Sequence, residues 1–184
     1  MTVAQPSSAA SFFHLLRWQI KNPARKPLIV FEPKSMLRLK AAASQLSDFT
    51  SGNFQPFIKE SSAEINNVER LILCSGKIYW ELVGERAKRG DKKTAIARLE
   101  QLYPLPTEEI ITEIKRFPNA KVLWVQDEPA NQGPWPFFSA TMNEALPGNS
   151  IKRISRRASA SPATGSVHVH EEEQKALIAE VFGN

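Results

Sequence analysis

The side chains best suited to chemistry in this sequence follow an apolar run. Asp127 and Glu128 are adjacent carboxylates directly after "KVLWVQ", and paired acids can perform acid–base catalysis. Neighbouring side chains of an extended segment point to opposite faces, so the two acids are poorly placed to share one substrate. We favour the interpretation that one carboxylate is solvated and the other fixes the loop through backbone amides.

Two other motifs carry weak chemical signals. "SGK" at 75–77 follows an apolar run, but a P-loop requires G-x-x-x-x-G-K-[ST]. We interpret Ser75 as a helix cap and Gly76 as a turn residue, although amides at the helix start could receive an anion. His168 and His170 would share one face of an extended segment, but no third ligand is visible and we predict no metal site.

The remaining reactive or charged groups favour structural roles. Cys74 is the single cysteine, which excludes a disulfide framework, and its position at the end of an apolar strand predicts an inert thiol. The basic stretch "RISRRASAS" at 153–161 could bind a phosphate or an acidic partner. We favour an edge strand followed by a linker with solvated arginines.

Composition narrows the function classes. The net charge is +5, but the basic residues are scattered among 19 acids, which disfavours nucleic-acid binding. No apolar run approaches the ~20 residues of a membrane span, and the first 20 residues contain no secretory signal. These features predict a cytoplasmic protein without a membrane partner.

The elements that position these residues alternate between strands and helices. Residues 1–33 read as strand–helix–strand, with "PLIVFEP" as a buried parallel strand, and 34–68 as a linker with a little helix. From residue 69 onwards, further strands, among them "TAIARLEQL", alternate with helices, of which one covers about 137–146. The pattern predicts an α/β fold with a mostly parallel sheet covered by helices on both faces.

The segment "QDEPANQGPWPF" is a rigid polar loop after the strand at 121–126. Asn131 and Gln132 can donate and accept hydrogen bonds at an interface, and Gly133 permits a close backbone approach. We therefore expect the loop to dock against another surface. These residues alone form no complete catalytic constellation, and a stand-alone, non-catalytic α/β binding or assembly module remains an alternative.

Several motifs together resemble a known family. They are "FFHLLRWQI", "RKPLIVFEPKSMLR", "CSGKIYWEL", "IARLEQLYPLP", "QDEPANQGPWPF" and "ISRRASASPATGS" followed by "HVH". In order and spacing they resemble the C-terminal end of the 2-oxoglutarate dehydrogenase first component, particularly the large actinobacterial multifunctional dehydrogenase/decarboxylase enzymes.

The resemblance implies a fold and domain boundaries. Residues 1–33 would end a pyrimidine-binding domain of transketolase type, 34–68 would be a linker, and 69–184 would form the C-terminal transketolase-type domain. The family's diphosphate and Mg²⁺ motif and its histidine–serine segment are absent from these residues. We therefore expect a fragment that contains no catalytic or cofactor-binding residue.

The resemblance also implies an activity and partners. Full-length enzymes of the family oxidatively decarboxylate 2-oxoglutarate in the tricarboxylic acid cycle with thiamine diphosphate and Mg²⁺. Such an enzyme is a homodimer that passes the succinyl group to a lipoyl-bearing succinyltransferase, alongside a dihydrolipoyl dehydrogenase. The chain alone is expected to bind no thiamine diphosphate and to be inactive, and to contribute dimer and domain-interface structure.

Individual positions carry over from the family as expectations. Asn131, Gln132, Gly133 and Trp135 would be interface residues. Actinobacterial relatives also have an acetyl-CoA activator site, to which Thr2 and Gln101 correspond. The positions of the basic residues of that site are occupied here by Trp18, Asn53, Glu108 and Glu109.

Overall fold

The computed structural model describes residues 1–62, 67–148 and 150–183 and contains two sheets. The larger sheet has the order β3-β5-β4-β7-β8 and the smaller one β2-β1-β6. The strands are β1 (Thr2–Ala4), β2 (Leu28–Val30), β3 (Phe57–Ile58), β4 (Arg70–Ser75), β5 (Thr94–Leu99), β6 (Gln101–Tyr103), β7 (Lys121–Pro129) and β8 (Lys152–Arg156).

The described residues contain six α-helices, of which five lie between strands and the last follows β8. They are α1 (Ala9–Lys21), α2 (Leu46–Thr50), α3 (Ile78–Arg89), α4 (Thr107–Arg116), α5 (Trp135–Ala145) and α6 (Val167–Phe182). Two short 3-10 turns, Lys34–Arg38 and Lys40–Ala42, precede α2. No helix in these described ranges is long and apolar enough to cross a bilayer.

The large sheet is parallel from β5 through β4 and β7 to β8, and only β3 runs antiparallel. Alternate residues of β4 enter opposite cores. Leu71 and Leu73 pack towards Ile110 and Phe138 of α4 and α5, whereas Ile72 faces the core that contains helices α3 and α6. The α/β fold with a mostly parallel, helix-covered sheet, similar to a transketolase C-terminal domain, is confirmed.

The helix ends follow ordinary capping chemistry, but the predicted Ser75 cap is wrong. The Ser8 side chain accepts a hydrogen bond from the Ser11 amide at the start of α1, and Gly90 ends α3 in a left-handed conformation. Ser75 does not cap α3, because its hydroxyl donates to the Oε1 atom of Gln5 at 2.8 Å. Helix α3 begins at Ile78, and the residue at its N-cap position is Lys77.

The stretch "TAIARLEQL" is not one strand. It bends at Glu100, so β5 lies in the large sheet and β6 pairs antiparallel with β1 in the small sheet. Glu100 is fully buried at the bend, and its carboxylate accepts hydrogen bonds from the Ser7 amide and the Ser7 and Ser11 hydroxyls. Because a buried charge needs such donors, the bend cannot be read from apolar periodicity alone.

Strand β2 differs from its predicted burial. It is parallel to β1, but Ile29 is exposed and Leu28 and Val30 are only half-buried. Among the described residues β2 pairs only with β1, so it forms an edge of the small sheet. The apolar run "PLIVFEP" predicted a buried strand, but the described residues leave β2 partly exposed.

The segment 34–68 contains a strand that its sequence did not indicate. Strand β3 has only two residues, too few for a periodic pattern, and pairs with β5 through Phe57 and Ile58. Glu60, just beyond it, is 4% exposed. Its carboxylate accepts hydrogen bonds from the Ile96 amide, Ser62 and Arg86.

The Glu60 carboxylate makes stability depend on pH. Burial alone would raise the pKa of Glu60, but hydrogen bonds from Ser62, Ile96 and Arg86 outweigh it and lower the pKa below the ordinary 4.5. The ionised group therefore stabilises the fold above the unfolded-state pKa, and this stabilisation is lost as the pH falls through the lower native pKa.

Replacing Glu60 with glutamine is expected to lower the free energy of unfolding at neutral pH by about 2 kcal/mol. The deficit should shrink as the pH falls below the unfolded-state pKa and through the lower native pKa of Glu60, because the wild-type carboxylate then becomes protonated. Urea unfolding at a series of pH values measures both effects, with the exposed Glu108→Gln as control. Parallel curves for wild type and Glu60→Gln would show that Glu60 does not contribute to the acid dependence.

Candidate functional site

An open, mainly apolar cleft of about 640 Å³ lies where the carboxyl ends of the parallel strands meet the small sheet. This edge is where parallel sheets usually carry ligands. Val3 and Tyr103 line it from the small sheet, Phe31 from the position after β2, and Leu99 and Trp124 from the large sheet. The predicted docking loop closes it with Glu128, Gln132, Gly133 and Pro134.

Gln126 organises the loop, although nothing in the sequence analysis singled it out. Its side chain is buried, and its Oε1 accepts hydrogen bonds from Trp124 Nε1 at 2.9 Å and the Trp135 amide at 3.1 Å. Its Nε2 donates to the Gln132 carbonyl at 2.8 Å and the Pro129 carbonyl at 3.1 Å. A glutamine directly after an apolar strand, followed by prolines, was the available signal.

Asp127 and Glu128 point to opposite sides of the extended β7, as predicted. The Asp127 carboxylate lies 2.9 Å from the Lys77 ammonium, which also lies 3.2 Å from Glu81. The Gln174 side chain of α6 donates a hydrogen bond of 2.7 Å to Glu81 and another of 2.7 Å to Asp127. This network joins α3, β7 and α6 outside the cleft.

The expectation that one of the two acids fixes the loop through backbone amides stays a prediction for Glu128, whose carboxylate accepts a hydrogen bond from its own backbone amide. Asp127 contacts side chains of other elements, and Gln126 holds the loop backbone instead. The amide side chain can both donate and accept, whereas a carboxylate could not bond the loop carbonyls.

Glu128 lines the cleft and is half-buried. Burial raises the pKa of Glu128, and the neighbouring Asp127 adds to the rise. Gly133 has φ +68°, and a Cβ atom there would lie 2.9 Å from the Glu128 Cβ and 3.1 Å from Gln126 Nε2. A glycine is therefore required for the loop to fold back over Glu128.

The amide side chains of the loop bind the segment that follows β8. Asn131 exchanges two hydrogen bonds of 3.0 Å with the Ser159 backbone, and Gln132 donates to the Ser159 carbonyl at 2.9 Å. Trp135 is half-buried, and the Arg153 guanidinium lies 5.6 Å from its ring centroid. A role of these residues between domains or subunits stays a prediction.

Thr2 and Gln101 both lie in the small sheet and are buried. Thr2 pairs with Leu28, on the β2 side of β1, and Gln101 pairs with Ala4 across the other side. The Gln101 side chain donates to the Pro104 carbonyl at 2.7 Å. An effector site at Thr2 and Gln101 also stays a prediction.

The other candidates have structural partners. His168 and His170 lie in the first turn of α6 rather than on an extended segment. His168 contacts Glu172 at 3.3 Å, whereas His170 lies 2.9 Å from the Arg156 guanidinium. The Cys74 thiol is fully buried, and burial raises its pKa well above the ordinary value.

The arginines of the basic stretch are only partly solvated. Strand β8 is an edge strand as predicted, and Arg157 is exposed. The Arg156 side chain, however, is 7% exposed, because it packs against α6 and bonds Gln174 at 2.8 Å. An edge strand covered by a helix buries the side chains on its covered face.

The cleft residues do not fit a Mg²⁺-diphosphate site. Mg²⁺ requires several oxygen ligands around one point. Within the described ranges, no three histidine, cysteine, aspartate or glutamate side chains come together in that way. Asp127 is already paired with Lys77, and Glu128 is the only carboxylate among the described residues that line the cleft.

Comparisons with known proteins identify the same family that the sequence motifs resemble. A family model described as "2-oxoglutarate dehydrogenase C-terminal" matches residues 43–182. The chain is 47% identical over 191 residues to the "Multifunctional 2-oxoglutarate metabolism enzyme" of Mycolicibacterium vanbaalenii, covering 100% of this chain and 15% of that protein. It is 48% identical over 186 residues to the "2-oxoglutarate dehydrogenase E1/E2 component" of Corynebacterium glutamicum, covering 99% and 15%. The chain thus spans about 15% of the length of these relatives.

Proposed function

Because the chain belongs to the 2-oxoglutarate dehydrogenase C-terminal family, we propose that it is the C-terminal part of a thiamine-diphosphate-dependent 2-oxoglutarate dehydrogenase or decarboxylase. The observation that carries the proposal is 46–48% identity across essentially the whole chain to proteins named for 2-oxoglutarate metabolism. Within that enzyme, the proposed role of these residues is to form interfaces between domains and subunits.

Exposed apolar side chains support the interface role. On α1, Phe12, Phe13 and Leu16 are 37–42% exposed and Ile20 is 73% exposed. Leu15 of the same helix is fully buried, so these four side chains form a separate, exposed apolar face. An apolar face of this kind on a soluble fold is typical of a surface that another polypeptide covers.

The partner and cofactor proposals follow from the family. The thiamine diphosphate and Mg²⁺ would be held by parts of the enzyme outside these residues. The homodimer partner, the lipoyl-bearing succinyltransferase and the dihydrolipoyl dehydrogenase would contact the complete enzyme. The proposed contribution of this chain is geometric, because Asp127 is paired with Lys77 outside the cleft and Glu128 is a single acid in an apolar lining.

The test is to purify the native polypeptide from its source cells through a tag at the residue equivalent to Asn184. We expect a polypeptide far larger than 20.6 kDa that decarboxylates 2-oxoglutarate when thiamine diphosphate and Mg²⁺ are supplied. The isolated 184-residue chain, assayed in parallel, should show no decarboxylation. A native band at 20.6 kDa that purifies without decarboxylase activity would contradict the proposal and favour a stand-alone assembly module.

A further inference from the structure

Glu128 presents a carboxyl group to the cleft, and no salt bridge within the described residues pairs it with a cation. Its own backbone amide donates a hydrogen bond to it, and the charges of Lys77 and Arg156 act on it without direct contact, whereas the adjacent Asp127 pairs with Lys77 at 2.9 Å. The lining around Glu128 is largely apolar, with Leu102, Leu105 and Phe138 among its side chains. A charged group in such surroundings is costly unless a partner supplies the opposite charge or a hydrogen bond.

The geometry of the loop keeps Glu128 in this position. Gly133 packs so closely on the Glu128 side chain that even a Cβ atom at residue 133 would lie 2.9 Å from it. Gln126 fixes the backbone at Glu128 and just after it, since its Nε2 donates to the carbonyls of Glu128, Pro129 and Gln132. The carboxyl group is therefore held at the cleft wall rather than free to turn to solvent.

The rim of the cleft is apolar and open. Phe31, Tyr103 and Phe137 are 54%, 45% and 45% exposed, and the rings of Tyr103 and Phe137 lie 5.6 Å apart. These side chains line the cleft and also continue onto the surface. A closed pocket would suit a small ligand, whereas an open apolar rim that surrounds one anionic group suits an inserted polypeptide segment.

We propose that the cleft receives a polypeptide segment from outside these 184 residues, which brings a lysine or arginine to Glu128 and apolar side chains to Phe31, Tyr103 and Phe137. The inference rests on the proposed function, because it assigns the partner chemistry of one interface within the larger enzyme. The volume of about 640 Å³ accommodates several side chains. The cation of the segment would pair with Glu128, the one carboxylate among the lining residues that the structure describes.

The raised pKa of Glu128 agrees with this assignment. Burial favours the neutral carboxyl group in the chain alone. A basic side chain beside it would restore the ionised form and lower its pKa again. A charge pair of this kind also selects one segment over others, since a like charge in its place is repelled.

The experiment places the photo-crosslinker p-benzoylphenylalanine at Phe137 in the native tagged polypeptide and identifies the captured peptide by mass spectrometry. We expect a peptide from outside residues 1–184 that contains a lysine or arginine among apolar residues. The matched control carries the crosslinker at Leu46, which is 78% exposed on α2 and does not line the cleft. It should not capture the same peptide.

Charge reversal tests the role of Glu128 itself. Glu128→Lys should reduce capture of this peptide roughly tenfold or more, because like charges then meet. The exposed Glu144→Lys should leave the yield unchanged. Exchange of the captured basic residue for glutamate should restore capture in the Glu128→Lys background.

Three outcomes would overturn the inference. They are a captured peptide without a basic residue, capture of a small molecule or of residues 1–184 alone, and yields insensitive to Glu128→Lys. The 2-oxoglutarate activity of the unmodified preparation is measured separately. If that activity is present while the crosslinking result is negative, the cleft assignment fails and the proposed function stands.

Discussion

Replacing Gln126 with alanine is expected to lower the free energy of unfolding by about 3–4 kcal/mol, because several buried polar groups lose their partner at once. The Trp124 Nε1 and the Trp135 amide would lose their acceptor. The carbonyls of Pro129 and Gln132 would lose their donor. The stacked rings of Trp124 and Phe138, whose centroids lie 4.2 Å apart, would border the resulting cavity.

Urea unfolding followed by tryptophan fluorescence measures this effect. Gln132→Ala is the matched control, since it is the same residue type in the same loop and its side chain makes one hydrogen bond, to the Ser159 carbonyl. We expect it to cost less than about 1 kcal/mol. Equal losses for the two variants would show that Gln126 does not organise the loop.

The second large effect is expected for Glu100→Ala, at about 3–5 kcal/mol, because the substitution removes one partner of a buried ion pair. The Arg98 Nε lies 3.5 Å from the Glu100 carboxylate, and Arg98 is itself only 13% exposed. Ser7 and Ser11 at the start of α1 would lose their acceptor as well. The guanidinium of Arg98 keeps its stacking on Tyr79, at 4.1 Å from the ring centroid.

Hydrogen exchange locates the damage. The amides of α1 and β1 should exchange much faster in Glu100→Ala, whereas those of β4 and β7, which lie inside the large sheet, should be affected least. Glu109→Ala, an exposed acid on α4, is the control and should leave both sets unchanged. Uniform loss of protection across both sheets would contradict a local role for Glu100 at the joint.

The large sheet was predictable because its strands are buried on both faces and follow one another with helices between them. Continuous apolar runs such as "LILCS" at 71–75 are typical of buried parallel strands, and Gly90 marks a helix end. The bend at Glu100 and the short β3 were not predictable. Both depend on buried carboxylates whose donors lie far away in the sequence, such as Ser7, at a separation of 93 residues.

The candidate site was predictable in its location but not in its internal arrangement. The position of Asp127 and Glu128 after a parallel strand indicated a loop at the functional edge of the sheet, with side chains on opposite faces. The role of Gln126 was not predictable, because the Pro129 and Gln132 carbonyls approach its side chain only once the loop has folded. The exposure of the apolar residues on α1 was not predictable either, since an apolar face does not indicate which polypeptide covers it.

The bend at Glu100 also has a consequence for the order in which the chain folds. Strand β1 can complete its pairing only with β6, which is made much later during synthesis. The strand–helix–strand unit of residues 1–33 must therefore wait, with one edge of β1 unpaired, until the ribosome has delivered β6. Long-range pairing of this kind is slow to form and leaves intermediates prone to aggregation. We expect nascent chains that end before residue 101 to be chaperone clients, and chains that include β6 to be released from them.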